Sequence, residues 1–466
     1  MNQFGSAVSR RSLLQAGGAG LGLAGLGTLA GCSKGSDSGS SSGTFKMLYF
    51  GDQKSADALK AKLAPEVTKL DSKVTLEISA VNGTDWNDFF AKVLTQIASG
   101  TAPDIVGVAT EGVQLMASKD LAIPLDDYVK KDMASMKPYF DDVHPSLVEA
   151  MMYQGHLYEL PSDFNCGNMF YSTKLFHQAG VAEPGPNWTI DDFHNAVEKI
   201  AKIPGVNGFD WVVRLWGSWT SFMYANGGNL LTESKFSGGD WLWGTAYAGN
   251  AAAAGRGGGY QWGAPTANSP AVVESLQYLI DLKKAGIAPS PDVGGGGTLQ
   301  GLFASQRIGA AIGGGFWAGG LHNAGMAPDS FNVQFFPKWK SQRHLFGTGG
   351  YAIFKSSKKK DLAWEVLKVL AKPESFDIIA PGNVTTSAHK SLATAERYAS
   401  TGPKNWKVFY DTLTEHPDTG PIPAPPYYNA LATALNTRTT QAISTGDAKG
   451  ALDGLQSDLE AASKAT

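Results

Sequence analysis

Three pairs of neighbouring carboxylates, Asp126-Asp127, Asp141-Asp142 and Asp191-Asp192, have the residue type for general acid–base chemistry such as cleavage of a glycosidic bond between two acids. All three sit in polar turn or helix-start contexts, where caps and solvated faces are the default. Cys166, within Asp163-Phe164-Asn165-Cys166-Gly167, could act as a nucleophile, but the pattern assigns it no base and reads more simply as a partly buried bystander. The eight histidines are scattered singly, which suits surface or satisfied core positions better than metal ligands. No His-Glu-x-x-His, Cys-x-x-Cys, Gly-x-Ser-x-Gly or calcium-loop pattern occurs. The glycine clusters at 294–297 and 313–315 lack the Lys-Ser/Thr that a phosphate loop needs, so they read as connectors or as places of close backbone approach. Catalytic residue, metal and cofactor are therefore each expected to be none.

The elements that would position a site follow from periodicity. Phe45 to Phe50 reads as a short buried strand, and Ala56, Leu59, Leu63, Val67 and Leu70 mark a helix interrupted by Pro65. Lys73 to Val81 alternates as a second strand. Thr84 or Asp85 can cap a helix bearing Trp86, Phe89, Val93 and Ile97, which Gly100 closes before a third strand at Asp104 to Ala109. That order implies a parallel sheet with helices on its faces. Thr189-Ile190-Asp191-Asp192 resembles a capping box, helical periodicity returns around Val272 to Ile280 and around Leu362 to Leu370 before Pro373, and short strands are expected at Arg307 to Ile312 and Gly350 to Phe354. Gly255 to Gly259 marks a loop, and two helices around Tyr428 to Ile443 and Ala448 to Ala462 end the chain. The plain result is α/β with at least two lobes.

The first residues address the chain elsewhere. Ser9-Arg10-Arg11-Ser12-Leu13-Leu14 followed by a Gly/Ala/Leu run resembles a twin-arginine export signal, and Leu29-Ala30-Gly31-Cys32 resembles a bacterial lipobox. The resemblance implies a signal peptide at 1–31, acylation of Cys32, and a lipidated Gly/Ser tether at 32–44 that cannot bury apolar surface. The run from Leu13 to Gly31 contains seven glycines and one glutamine, too weakly apolar for a stop-transfer helix. Cleavage before Cys32 leaves 435 residues, about right for two or three domains, and 43% hydrophobic residues are ample for packed cores. Loss of Arg10 and Arg11 moves the formal charge from −3 to −5, which gives no basic footprint for nucleic acid. Cys166 is then alone, so no intramolecular disulfide is expected.

Over roughly Phe45 to Ser463 the chain resembles the extracellular solute-binding proteins of ATP-driven importers, in the sugar-binding branch that includes maltose-binding protein. The segments that carry the resemblance are Ser99-Gly100-Thr101-Ala102-Pro103-Asp104, Tyr153-Gln154-Gly155-His156-Leu157-Tyr158-Glu159-Leu160-Pro161, Met169-Phe170-Tyr171-Ser172, Asn226-Gly227-Gly228, Leu302 to Ile312, and Gly349-Gly350-Tyr351 ahead of Ala363-Trp364. Ser172, Gln306 and Ile312 depart from the usual pattern. The resemblance implies a type II two-lobed α/β fold, each lobe a mainly parallel sheet flanked by helices, joined by hinge strands. It implies an N-terminal lobe at 45–155 and 342–390 and a C-terminal lobe at 156–341 and 391–466. It also implies a monomeric, non-enzymatic, lipid-anchored receptor that captures a carbohydrate and passes it to the permease of an ABC importer.

Ligand contacts implied by the same resemblance are Asp52, Gln53 and Glu111 after the first and third strands, Asp163 and Asn165 after Pro161, and Trp216, Trp219 and Asn226 before the Gly-Gly turn. Trp317, behind the 313–315 glycines, is the aromatic best placed to stack on a sugar, with Tyr427 or Tyr428 opposite. Two alternatives remain: a secreted glycan hydrolase or lyase, and a binding protein for glycerol phosphate or a polyamine. The absence of an Arg-rich clamp lowers the phosphate reading.

Overall fold

A computed structural model describes residues 43–83, 85–293 and 296–465. The signal segment, Cys32, the tether up to 42, Thr84, and Gly294 and Gly295 lie outside the described residues.

The first part of the pattern gives β1 (Gly43–Phe50), α1 (Gln53–Leu70), β2 (Val74–Val81), α2 (Trp86–Ala98) and β3 (Ile105–Ala109) in the expected order, followed by a helix the pattern does not announce, α3 (Thr110–Ser118). Pro65 does not interrupt α1. The buried stripe Ala56, Leu59, Leu63 and Val67 continues past it and outweighs the one hydrogen bond that proline removes. Asp85 is the cap of α2, its carboxylate accepting from the Asp88 N–H at 2.9 Å. Gly100, at φ 79°, follows the helix end in the left-handed region that glycine adopts without strain.

The remaining strands that matter to the site are β4 (Asp163–Cys166), β5 (Asn168–Ser172), β6 (Asn207–Asp210), β7 (Ile308–Gly313), β8 (Phe331–Gln334) and β9 (Leu345–Ile353). The first sheet holds β1 between β2 and β3, all parallel, as the strand–helix order requires. On its other side β9 pairs antiparallel with both β3 and β4, directions that periodicity alone does not supply. The second sheet has the order β8-β5-β7-β6; β7 and β6 are parallel, but β5 runs antiparallel to both β7 and β8, so this sheet is mixed and not mainly parallel as expected. The chain passes from the first sheet to the second across the single residue Gly167, and returns between Gln334 and Leu345. Further helices are α4 (Ile190–Ile200), α5 (Pro270–Lys284), α6 (Phe316–Asn323), α7 (Lys360–Leu370), α8 (Tyr428–Thr445) and α9 (Ala448–Lys464). Thr189 and Asp192 make the complete reciprocal capping box at the start of α4.

One segment crosses between the halves in a way the sequence pattern does not announce. Strands Leu231–Lys235 and Tyr260–Pro265 pair antiparallel, and the excursion between them carries Leu242, Trp243, Ala246 and Tyr247 into the core that holds Phe140, Val143, Met151 and Met152. Glu149, fully buried, fastens it by accepting from Lys235 Nζ at 2.9 Å, Arg256 at 2.8 Å and the Gly257 N–H at 2.8 Å. The 255–259 glycines are therefore a packing surface as well as a loop. A Cβ on Gly259 would stand 2.2 Å from the Met152 carbonyl oxygen.

Removing Glu149 leaves two cations without their buried anion, which typically costs about 3–5 kcal/mol. Glu149→Ala is expected to lower unfolding stability by about 3 kcal/mol in urea denaturation, mitigated by the partial exposure of Lys235. A loss below about 1 kcal/mol would show that the excursion is held by its aromatic residues alone.

Candidate functional site

A cavity of about 500 Å³ opens where the ends of β1 and β3 and the faces of β4 and β9 meet the loop after Val213, the start of α6 and the face of α8. Its size is that of an ordinary small-molecule site.

The first half supplies an aromatic wall and most of the carboxylates. Phe50 ends β1 and lies 4.6 Å, centroid to centroid, from Trp86, the first residue of α2. Phe89 and Phe90 brace Trp86 from behind, at 5.4 and 5.7 Å. Asp85, whose Oδ1 caps α2, also lines the cavity. Glu111 stands in the first turn of α3, only 4% exposed, and its Oε2 has no hydrogen-bond partner. Burial pushes the Glu111 carboxyl up to about 7, Asp85 and Asp163 push the same way, and its own backbone N–H and Arg214 oppose them. Asp163, on β4, is raised by burial and held back by the Thr385 hydroxyl and the Gly349 N–H. Gly349 has to be glycine, because a Cβ there would lie 2.5 Å from Asp163 Oδ1.

The second half faces this with one cation and a second set of rings. Arg214 donates from Nε to the Trp216 carbonyl at 2.7 Å, and its guanidinium lies 5.4 Å from the centre of the Trp216 ring. Burial draws Arg214 down to about 10 while Asp85 and Glu111 pull it back up. Trp216 packs 5.6 Å from Phe316, the first residue of α6. Tyr428, Ala432 and Asn436 recur every four residues on α8, so they form one stripe along the cavity. Asn436 Oδ1 has no partner there. Beside that stripe Asn87 Nδ2 donates to Thr433 Oγ1 at 3.3 Å, a direct link from α2 to α8.

Of the residues expected at the site, Glu111, Asp163, Asn165, Trp216 and Tyr428 line this cavity. Asn165 also ties β4 to its surroundings, donating to Thr385 Oγ1 at 2.8 Å and accepting from the Phe316 N–H at 3.3 Å. The others are placed elsewhere. Asp52 caps α1 through Ser55, and Gln53 is exposed and donates to Asp57. Trp219 is buried with its indole N–H on Thr439, and Asn226 anchors α5 through the Ala271 carbonyl. Trp317 is 1% exposed, packed between Phe170 and Phe303 at 5.2 Å from each. Tyr427, half-buried, precedes the α8 stripe and does not line the cavity.

Residues absent from the expectation are Tyr49, Phe50, Asp85, Trp86, Arg214, Phe316, Tyr351 and Asn436. The rule that selected Asp52, a polar group just after a parallel strand, applies equally to Asp85 after β2. No local signal marks Arg214, which reaches the cavity from a loop. The 313–315 glycines prove to be a close-approach surface: a Cβ on Gly314 would stand 2.7 Å from Asn165 Cβ, and one on Gly315 would stand 1.8 Å from Thr386 Oγ1. Cys166 is buried, and burial pushes its thiol well up, which keeps it from acting as a thiolate. Among the described residues no group of three or more His, Cys, Asp or Glu side chains is disposed to hold a metal ion. The arrangement offers acceptors for hydroxyl groups and flat faces for C–H surfaces.

A family model described as bacterial extracellular solute-binding protein matches residues 51–375. Binding proteins of Brucella abortus and Brucella suis are 24% identical over 304 residues, and the match spans 64% of this chain and 64% of their length. Among solved structures, an ABC substrate-binding protein from Listeria monocytogenes in complex with cycloalternan superposes with a TM-score of 0.71 at 20% identity, covering 90% of this chain and 98% of that one. A solute-binding protein from Thermotoga lettingae bound with α-D-tagatose gives 0.70 at 17% identity, covering 90% and 99%. The GacH receptor of Streptomyces glaucescens, solved with acarbose, gives 0.68 at 18% identity, covering 90% and 98%. These likenesses show the fold, two lobes of the type II arrangement.

Glu111 gives the ligand-free protein a pH signature. The unfolded chain releases this proton near 4.5 and the folded chain near 7, so between those values the folded state binds more protons and stability falls as pH rises. Glu111→Gln removes that loss. In denaturation at pH 5 and pH 8, the variant is expected to gain about 3 kcal/mol on the wild type at the higher pH, since each tenfold difference in proton affinity between the two states is worth about 1.4 kcal/mol. Parallel pH curves for the two proteins would exclude a neutral, buried Glu111.

Proposed function

Because the chain belongs to the bacterial extracellular solute-binding proteins, we propose that it is the receptor of an ABC importer, anchored outside the membrane by lipid on Cys32, and that it captures a carbohydrate, an oligosaccharide of a few units, in the cavity between its halves. The observation that carries this reading is the pairing of ring faces with acceptor groups. Phe50 and Trp86 on one side and Trp216, Phe316 and Tyr428 on the other present flat apolar surface, while Glu111, Asp163 and Asn436 supply oxygen acceptors. A sugar has the complementary surface: an apolar C–H face and rows of hydroxyl donors.

Both halves contribute, so a ligand that fills the cavity favours the closed arrangement by binding it better than an open one, and closure is the signal the permease receives. We place the lobes at 45–155 with 342–390 and 156–341 with 391–466; the chain's passage from the first sheet to the second at Gly167 and its return between 334 and 345 support two crossings near 155 and 341. Relatives in complex with cycloalternan, acarbose and maltose support a sugar cargo. No described helix is long and apolar enough to cross a membrane. The receptor acts as a monomer without chemistry of its own, and the ligand leaves it intact.

A thermal-shift screen against mono- and oligosaccharides tests the reading. A true ligand at about 100 times its Kd is expected to add about 2.7 kcal/mol to stability and raise Tm accordingly. Trp216→Ala is expected to weaken that ligand at least tenfold, about 1.4 kcal/mol, with folding unchanged. Recovery of cleaved product, or no response to any sugar, would overturn the proposal.

A further inference from the structure

We propose, resting on the carbohydrate reading above, that the cargo is an amine-bearing sugar whose ammonium group sits against Glu111.

Among the described residues that line the cavity, the hydrogen bonds within the protein leave one buried carboxylate oxygen unused. Asp85 accepts from the Asp88 N–H as a helix cap. Asp163 is engaged by Thr385 and Gly349. Arg214 is directed onto the Trp216 carbonyl and ring. Among the described carboxylates of the cavity, Glu111 alone is almost completely buried with an oxygen, Oε2, that has no partner. Burying an unpaired carboxylate is costly, and the group responds by keeping its proton. A sugar hydroxyl can donate one hydrogen bond to it but brings no charge. An ammonium brings both, in a short charge-assisted bond that is about twice as strong as a neutral one.

The surroundings point the same way. The groups facing Glu111 are Asp85 from α2, Asp163 from β4, Arg214 from the loop after Val213 and Tyr428 from α8. Three carboxyl groups including Glu111 thus meet one guanidinium. A phosphate ester would add negative charge to that set, whereas an ammonium offsets it. Trp86 and Tyr428 also line the cavity, and aromatic rings of this kind attract a cation. Glu111, raised to about 7, releases its proton as the ammonium docks, so binding near neutral pH is coupled to proton release.

The experiment compares each responding sugar of the panel with its amino and N-acetylamino counterparts at pH 6.5, for instance glucose with glucosamine and N-acetylglucosamine. Titration calorimetry in two buffers of different ionisation enthalpy reads both affinity and protons released. The amine form is expected to bind at least tenfold tighter than both neutral forms and to release protons, and Glu111→Gln is expected to abolish that preference, read as the ratio of amine-form to neutral-form affinity within the variant. Equal or tighter binding of the neutral forms would overturn the inference and leave the carbohydrate receptor standing. An amine preference that persists in Glu111→Gln would overturn the assignment to Glu111. No response to any form, amine-bearing or neutral, would instead overturn the carbohydrate reading itself.

Discussion

Thr348 joins the parts of the site. It lies on β9, the strand that pairs with β3 on one edge and β4 on the other. Its backbone N–H donates to Thr110 Oγ1 at 2.9 Å, and that hydroxyl returns a bond to the Thr348 carbonyl at 3.1 Å. Its own side chain donates to the Asp163 carbonyl at 2.6 Å. Thr110 immediately precedes Glu111, so one buried residue is hydrogen-bonded both to the backbone of Asp163 and to the neighbour of Glu111. Around it β9 is nearly without side chains: Gly347 leaves room for the Trp216 indole, 3.3 Å from where its Cβ would be, and Gly350 for the Leu160 carbonyl oxygen, at 2.6 Å. These glycines line the cavity at positions where neighbouring groups already occupy the space a side chain would need.

The elements near the start of the chain were legible because they are local. Alternation in β2, the stripe on α1 and the caps at Asp85 and Thr189 depend on residues within a few positions of one another. The direction of β9 and the docking of the 236–259 excursion were not, since both are decided by partners distant in the chain, among them Glu149 for Lys235 and Arg256. The site was legible in part, through the segments that resemble a known family. Trp317 shows where this fails. The glycine run before it does mark close approach, but the helix turns each successive residue by about 100°. Phe316 therefore meets Trp216 and Trp317 enters the core.

Two glutamates separate structural burial from functional burial. Glu149 is completely inaccessible, yet three donors surround it, and its charge is an asset to packing. Glu159 is also buried, and burial alone raises its carboxyl well above the ordinary value, but it does not line the cavity. Glu111 is likewise buried and raised, but it lines the cavity with an unpartnered oxygen, and in the proposed receptor its partner is the ligand.

In the proposed receptor, that combination would couple recognition to closure. Glu111 and Trp86 belong to the first half, Arg214, Trp216 and the α8 stripe to elements that meet it across the cavity. A ligand that touches only one half would leave either the unpartnered Oε2 or the unpartnered Asn436 Oδ1 unsatisfied. Only a ligand that bridges them satisfies both, and its binding energy then appears as preference for the closed arrangement over the open one. Discrimination follows from the same source, because a solute lacking the complementary groups gives closure no differential free energy, however well it fits the space.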